Sequence, residues 1–469
     1  MSLDTQIINH MQSLPNDFWD FKQENVRVYT HGFHQYPAMM VCPISRHIIE
    51  FMGKIRPITA LLDPFMGSGT VGVEGMLAGV PHVAGNDLNP MAIFMSQVKT
   101  TPLSCQKLSN IFSTVCRQYD QTIYQYSHAL QSVDEYVQKK LSLDIFGKND
   151  WSQNAHEILA EYSHKKGIKT AVPALRNMGY WFRPHIIYEL AIMREILNNI
   201  DETSYRQFFL LAFSECIRLV SNRRNGEFKM FRMPLEKLRI FFPNVKQYFS
   251  DIVTRNIHKM DEFNHALANK KTDIVIRYGD TRHMDSLSNN YYDLIITSPP
   301  YGDSRTTVAY GEFSRLSCAW LNLMDEKEAL ALDKNLMGGI PQKNYIKYDL
   351  PSTTLNNSLK TINAADPNRC SFVYAFYYEL NEAIAEIAQK TKSGGYHFWV
   401  VGNRIVKKER LLTDKIICEL AIHHGLRHVM TSGRTISNKV MPLRNSPTNK
   451  VGNSVETMTN EHIVILCKN

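Results

Sequence analysis

Apolar residues fall into short strand-length runs at the two ends of the chain and into helix-spaced stripes through its middle. Ile58–Leu62 is a buried-strand pattern that breaks into Asp63-Pro-Phe-Met-Gly-Ser-Gly-Thr70. Val71–Ala78 then resumes at helical spacing until Gly79 and Pro81 stop it. His82–Asn86 reads as a second strand running into Asp87-Leu-Asn-Pro90. Strand, glycine turn, helix and a strand ending in an acid form the first half of a nucleotide-type α/β fold. Gln106–Leu130, Ser132–Leu141, Pro184–Asn199 and Ser204–Val220 follow as predicted helices. Strand patterns return at Asp273–Asp280 and at Asp293–Thr297. Glu379–Lys390 reads as a helix before Gly394-Gly395, and Tyr396–Val401 and His462–Leu466 as the last strands.

The pattern predicts an α/β sheet split by a largely helical insertion, too long for a connecting loop. Residues 1–30 form a helical, polar lead-in. Residues 31–100 carry the first part of the α/β domain, 101–270 the insertion, and 271–469 the second part. Within the last, Thr431–Asn460 is rich in Asn, Ser, Gly and Pro and reads as a loop that orders on binding.

Composition narrows the class. At 469 residues, with 44% apolar and 21% charged positions, the chain has a globular composition, neither collagen-like nor wholly disordered. The most apolar run, Phe208–Val220, is interrupted by Ser214, Glu215 and Arg218, well short of the ~20 residues a membrane helix needs. Met1–Gln6 lacks the basic and apolar regions of a secretory signal. The eight cysteines are scattered, with no Cys-x-x-Cys pair and no Cys/His cluster at metal spacing, which fits a reducing cytoplasm. Basic residues exceed acidic ones by eight overall, and Thr391–Lys450 alone has eleven against three. Ser221–Met260 has nine against three. A solvated face is the ordinary meaning of such runs; an anionic polymer is the other.

Two motifs carry chemistry. In the first, Gly67 and Gly69 let a ligand approach the backbone, and the helix beyond offers free N–H groups. Asp87 would end the second strand and accept from ribose hydroxyls. No Gly-Lys-[Ser/Thr] follows, so a triphosphate site is disfavoured and a nucleoside cofactor remains. In the second, Thr297-Ser-Pro-Pro-Tyr301 ends an apolar strand with two prolines, which remove donors and leave carbonyls, a hydroxyl and a ring. That set suits an exocyclic amino group on a planar base; a simple turn is the competing reading.

In this order the two motifs resemble the S-adenosylmethionine-dependent amino-methyltransferases of DNA, whose patterns are Asp-Pro-Phe-x-Gly-Ser-Gly-Thr and [Ser/Asn/Asp]-Pro-Pro-[Tyr/Phe]. The likeness covers roughly 30–100 and 271–469, and implies a Rossmann-like methyltransferase sheet. It implies that Asp63, Phe65, Gly67, Gly69 and Thr70 hold the cofactor, S-adenosyl-L-methionine. His34, Tyr36 and Pro37, within His31–Ala38, match the segment that helps hold its methionine end. Asp87 matches the ribose acid and Asp280 the acid that contacts the adenine amino group. Gly394-Gly395 matches a later structural motif, and Met441–Asn449 is similar to a loop of some cytosine-N4 members. One departure stands out: the long insertion lies between Asp87 and Asp280 rather than just before the catalytic motif. Target reading therefore falls either to the insertion or to the basic C-terminal loop.

The resemblance implies methylation of the N4 amino group of cytosine in duplex DNA, because the Ser form of the motif is most typical of that class. The base would be flipped out of the helix, and the enzyme would serve restriction–modification or host protection beside a cognate endonuclease. Ser298 Oγ and the Pro299 carbonyl would meet the amino group, with Pro300 stiffening the turn and Tyr301 stacking on the base. Arg223, Arg224, Lys229 and Arg232 would contact DNA from one segment; Arg305 from a flap after the motif; Arg434, Lys439, Arg444, Asn445 and Asn449 from the C-terminal loop. No metal is expected, since His31 and His34 have no evident third ligand. A C5-cytosine route is rejected because the chain has no Pro-Cys pair. Adenine N6 is the nearest rival, followed by guanine N2 of tRNA and by a non-catalytic DNA-binding relative. A cytoplasmic, prokaryotic or phage-type setting is implied.

Overall fold

The computed structural model describes residues 1–142, 144–145, 154–173, 175–226, 228–303, 310–342, 349–436, 444–445, 455–456 and 460–469. Seven strands form one sheet: β1 (Ala60–Asp63), β2 (His82–Asp87), β3 (Asp273–Tyr278), β4 (Tyr292–Thr297), β5 (Thr391–Gly402), β8 (Leu426–Thr435) and β11 (Asn460–Lys468). Two small antiparallel pairs stand apart, β6 (Arg404–Val406) with β7 (Glu409–Leu411) and β9 (Arg444–Asn445) with β10 (Val455–Glu456). The sheet order is β3-β2-β1-β4-β5-β11-β8. The first five strands run parallel and β11 runs antiparallel to both neighbours. This is a Rossmann-like methyltransferase sheet, reversing direction in strand order between β1 and β4, where α/β folds place their ligands.

The helices are α1 (Leu3–Ser13), α2 (Cys42–Ile55), α3 (Thr70–Ala78), α4 (Pro90–Lys99), α5 (Cys105–Gln125), α6 (Ser127–Leu141), α7 (Ala155–Lys166), α8 (Met178–Trp181), α9 (Pro184–Asn198), α10 (Thr203–Val220), α11 (Leu235–Ile240) and α12 (Val245–Leu267). They continue with α13 (Tyr310–Leu321), α14 (Glu326–Asn335), α15 (Thr353–Ala365), α16 (Pro367–Lys390) and α17 (Thr413–His423). Central strands alternate their side chains between two apolar layers. Leu61, Leu294 and Phe398 pack with α1 and α2, whereas Leu62, Ile295 and Trp399 pack with α15, α16 and α17. Among the described residues no helix is long and apolar enough to cross a membrane.

The insertion packs directly onto the α/β domain: Val73 and Met76 of α3, and Met91, Phe94 and Met95 of α4, share one apolar cluster with α5, α9, α10 and α12. Several details differ from expectation. The lead-in is less polar in effect than in composition, because Ile7, Met11 and Trp19 are buried against the sheet side. Tyr126 divides the predicted 106–130 helix into α5 and α6. Thr431–Thr435, read as loop, extends β8 by pairing with β11.

Candidate active site

The glycine turn is built by β1 and β2 together. Asp63 ends β1 buried, with Oδ1 accepting from Phe65 N at 3.1 Å and from Thr297 Oγ1 at 2.8 Å. Burial pushes its carboxyl up to about 7. Asp87, at the end of β2, accepts from Gly67 N and from Asn89 N, both at 2.8 Å, and burial raises it to about 6. Gly69 caps α3 at φ +82°, and a Cβ there would lie 2.8 Å from Ser96 Oγ, so only glycine fits. Helix α4 braces the turn from behind, with Ser96 Oγ donating to Gly67 O at 3.1 Å and Lys99 Nζ to Ser68 O at 3.0 Å.

The second turn leaves the end of β4, which pairs in parallel with β1. Thr297 Oγ1, on Asp63, ties the two turns together. Ser298 Oγ lies 3.2 Å from Tyr301 Oη, which donates to Glu461 Oε1 at 3.0 Å; Arg434 Nη1 donates to Glu461 Oε2 at 2.8 Å. Burial, with Glu461 beside it, holds the Tyr301 phenol well above its usual range. Beyond the turn, fully buried Asp303 accepts from Arg369 Nη2 at 2.6 Å and Arg404 Nη1 at 3.2 Å.

Both turns open on one cleft of about 1020 Å³, mouth included. Tyr36, Pro37, Asp63, Phe65, Gly67, Thr70, Asp87 and Asp280 line it, as do Ser298 and Pro300. Gly69 lies behind the wall as a helix cap, and His34 is buried with Nδ1 on the Gln35 carbonyl. Burial, followed by the Arg218 charge, keeps His34 well below its usual pKa and so neutral. Pro299 is buried, and the Tyr301 hydroxyl turns toward Glu461. Asp280 is not free for a ligand alone: Arg282 Nε lies 3.0 Å from each of its oxygens. Burial would raise this carboxyl, but Arg282 outweighs it and lowers the pKa.

Sequence reasoning missed Asn89, Thr281, Arg282, Tyr310 and the Asn335–Met337 segment, all lining the same cleft. Asn89 carried a usable signal, since Asn before Pro90 is a helix start. Its side chain caps α4 and donates to Tyr36 Oη at 2.9 Å and Ser314 Oγ at 3.1 Å.

The expected DNA contacts divide. Arg224 and Lys229 are exposed on a hairpin whose strands meet at Arg223 and Arg232. Arg223 is fully buried with its guanidinium 5.6 Å from the Phe313 ring, and Arg434 is buried on Glu461, so neither reaches the surface. Arg232 is half-buried on Tyr180, 4.5 Å from the ring centroid. Arg305, Lys439 and Asn449, and the side chains of Arg444 and Asn445, lie outside the described residues. His31 does have acidic and thiol neighbours: Nε2 is 2.8 Å from Glu74 Oε1, and Cys42 stands close by. Arg46 forks onto the same carboxylate at 3.0 and 2.9 Å, filling it with a cation already.

No family model matches the chain. A type II methyltransferase from Kocuria varians, M.MvaI, is 37% identical over 466 residues, 97% of this chain and 94% of its own. Another, M.MjaII from Methanocaldococcus jannaschii, is 22% identical over 60% of this chain and 61% of its own. The solved rRNA methyltransferase aviRa from Streptomyces viridochromogenes aligns at 9% identity over 94% of this chain and 90% of that chain, with a TM-score of 0.28, too low to carry an argument. Similarity to M.MvaI over nearly the whole of both chains is decisive: the chain belongs to the type II methyltransferases.

Proposed function

We propose that the chain methylates the N4 amino group of a cytosine in duplex DNA, with S-adenosylmethionine as donor, as the modification enzyme of a restriction–modification system in the cytoplasm. The observation that carries this reading is the shared cleft, in which the Phe65–Thr70 turn and the Ser298–Pro300 turn face the same space. The lining fits the donor: Gly67 exposes backbone, Asp87 and Asp280 offer acceptors, and Phe65, Met66 and Met337 offer apolar surface. Asp87 accepts the Gly67 and Asn89 N–H groups on separate oxygens, and its place in the cleft wall sets a carboxylate where a ribose hydroxyl can donate. When bound, the donor supplies a methyl group already activated by its sulfonium.

The protein's own part is positioning. Ser298 Oγ and the Pro299 carbonyl accept the N–H bonds of the target amino group and so hold its nitrogen toward the methyl. The double proline keeps that turn stiff. DNA reaches the cleft over the 223–232 hairpin, where Phe228 and Phe231 are 49% and 47% exposed beside Arg224 and Lys229. That hairpin rests on the start of α13 through Met230 N and Glu312 Oε1, 2.8 Å apart, and Tyr310 of α13 lines the cleft. Cations for phosphates and rings for bases suit a nucleic-acid surface.

The test is to methylate duplex DNA with the purified chain and digest it to nucleosides. N4-methylcytosine is expected. N6-methyladenine in its place would transfer the reading to adenine, and equal labelling of tRNA would transfer it to RNA. Ser298→Ala is expected to retain cofactor binding and lose most of the turnover.

A further inference from the structure

The catalytic turn is not left to orient itself. Four side chains stand in line from the sheet to the cleft: Arg434 on β8, Glu461 on β11, Tyr301 and Ser298. Arg434 and Glu461 are cross-strand partners in the β8–β11 ladder, so two hydrogen-bonded strands fix the far end of the line. Their side chains are 5% and 13% exposed, so the ion pair is sheltered from solvent. Glu461 lies at the start of β11, beside the carboxyl end of β5, on the side of the sheet edge where β4 delivers Ser298.

Hydrogen-bond direction follows from donor counting. A carboxylate paired with Arg434 can only accept, so the Tyr301 hydroxyl, with one proton, donates to Glu461. Having spent its proton there, Tyr301 Oη can only accept from Ser298 Oγ–H. Ser298 then has its proton turned away from the cleft and its lone pairs turned toward it. That is the polarity a target amino group requires, since its N–H groups donate.

We infer that Glu461 is a positioning residue for methyl transfer: through Tyr301 it fixes Ser298 as a hydrogen-bond acceptor, with Arg434 holding Glu461 in place. The inference rests on the proposed role of Ser298 and extends it to the Tyr301 hydroxyl, Glu461 and Arg434, which stand behind the residues lining the cleft. The raised pKa of Tyr301 agrees with it, since a phenol that keeps its proton can keep donating. Charge-assisted hydrogen bonds of this kind are the strong ones, so uncoupling the line is expected to lower kcat about tenfold.

The test compares Glu461→Gln, Tyr301→Phe and the double variant, with kcat, KM for duplex DNA and cofactor affinity measured on each. Glu461→Gln is expected to lower kcat about tenfold with both affinities unchanged, because an amide no longer dictates which way the Tyr301 proton points. The double variant is expected to be no worse than the poorer single one, since both break one line. Glu461→Gln leaves Arg434 buried without its carboxylate, so Glu461→Gln with Arg434→Met is the second variant and is expected to show the same fall. Full kcat in either Glu461 variant, multiplicative losses in the double variant, or a matching loss of cofactor affinity would each overturn the inference. Normal turnover in Ser298→Ala would instead overturn the function proposed for Ser298, and this inference with it.

Discussion

Lys99 offers the sharpest test of how the glycine turn is held. Its side chain is fully buried, its ammonium donates to Ser68 O, and burial pulls its pKa from 10.5 down to about 7 despite the neighbouring Cys42 and Glu215. A base whose folded pKa lies below its unfolded one binds more protons when unfolded, at every pH between the two values. Folding then releases protons, and stability rises with pH across that window. At about 1.4 kcal/mol per pH unit, less the part still titrating in the folded state near pH 7, the gain between pH 7 and pH 9 comes to about 2 kcal/mol. Lys99→Met keeps the length and removes the titration. The lost hydrogen bond to Ser68 shifts its stability by an amount that does not depend on pH, so the difference between the two proteins isolates Lys99. Urea denaturation of both at pH 7, 8 and 9 is expected to show wild type gaining steadily on Lys99→Met. Parallel curves would mean that Lys99 ionises as an ordinary solvated lysine, and the account of the braced turn would fail.

The hairpin and the buried aspartate carry two further expectations. Lys229→Ala should reduce the slope of log binding constant against log salt by about 0.9, and Phe228→Ala with Phe231→Ala should weaken duplex binding about tenfold, both read by fluorescence anisotropy with cofactor affinity unaltered. Unchanged binding in both would remove the hairpin from the DNA surface. Asp303→Ala takes the shared carboxylate from Arg369 and Arg404 and should lower stability by about 3 kcal/mol, measured by urea denaturation. A loss below about 0.5 kcal/mol, the range of ordinary surface substitutions, would show that the two arginines do not depend on it.

Much of the site was legible in sequence because it is local. The glycine turn follows an apolar strand directly, and the acid at Asp87 ends the next strand, so spacing alone brings them together. The Ser298 turn was legible for the same reason. What sequence could not supply was partnership across distance. Thr297 meets Asp63, and Tyr301 meets Glu461, only because β4 lies beside β1 and β11 beside β5. Arg223 and Arg434 were read as surface cations because charge says nothing about burial, and Phe313 and Glu461 lie far along the chain. Helical periodicity likewise marked α5, α9 and α10 as amphipathic without naming what their apolar faces cover, which proves to be one another and α12, with α10 joining this layer to α4.

The place of β11 has a consequence for biosynthesis. The last of the seven strands in chain order fills an interior slot, between β5 and β8. A ribosome that has delivered everything before Asn460 therefore leaves a gap where two strand edges wait with open backbone groups, a state prone to pairing with other chains. The same segment brings Glu461 to Tyr301, so the sheet and the Ser298–Tyr301 turn reach their final form together. An enzyme that marks DNA is thus kept from acting until this strand has been made and has entered the sheet.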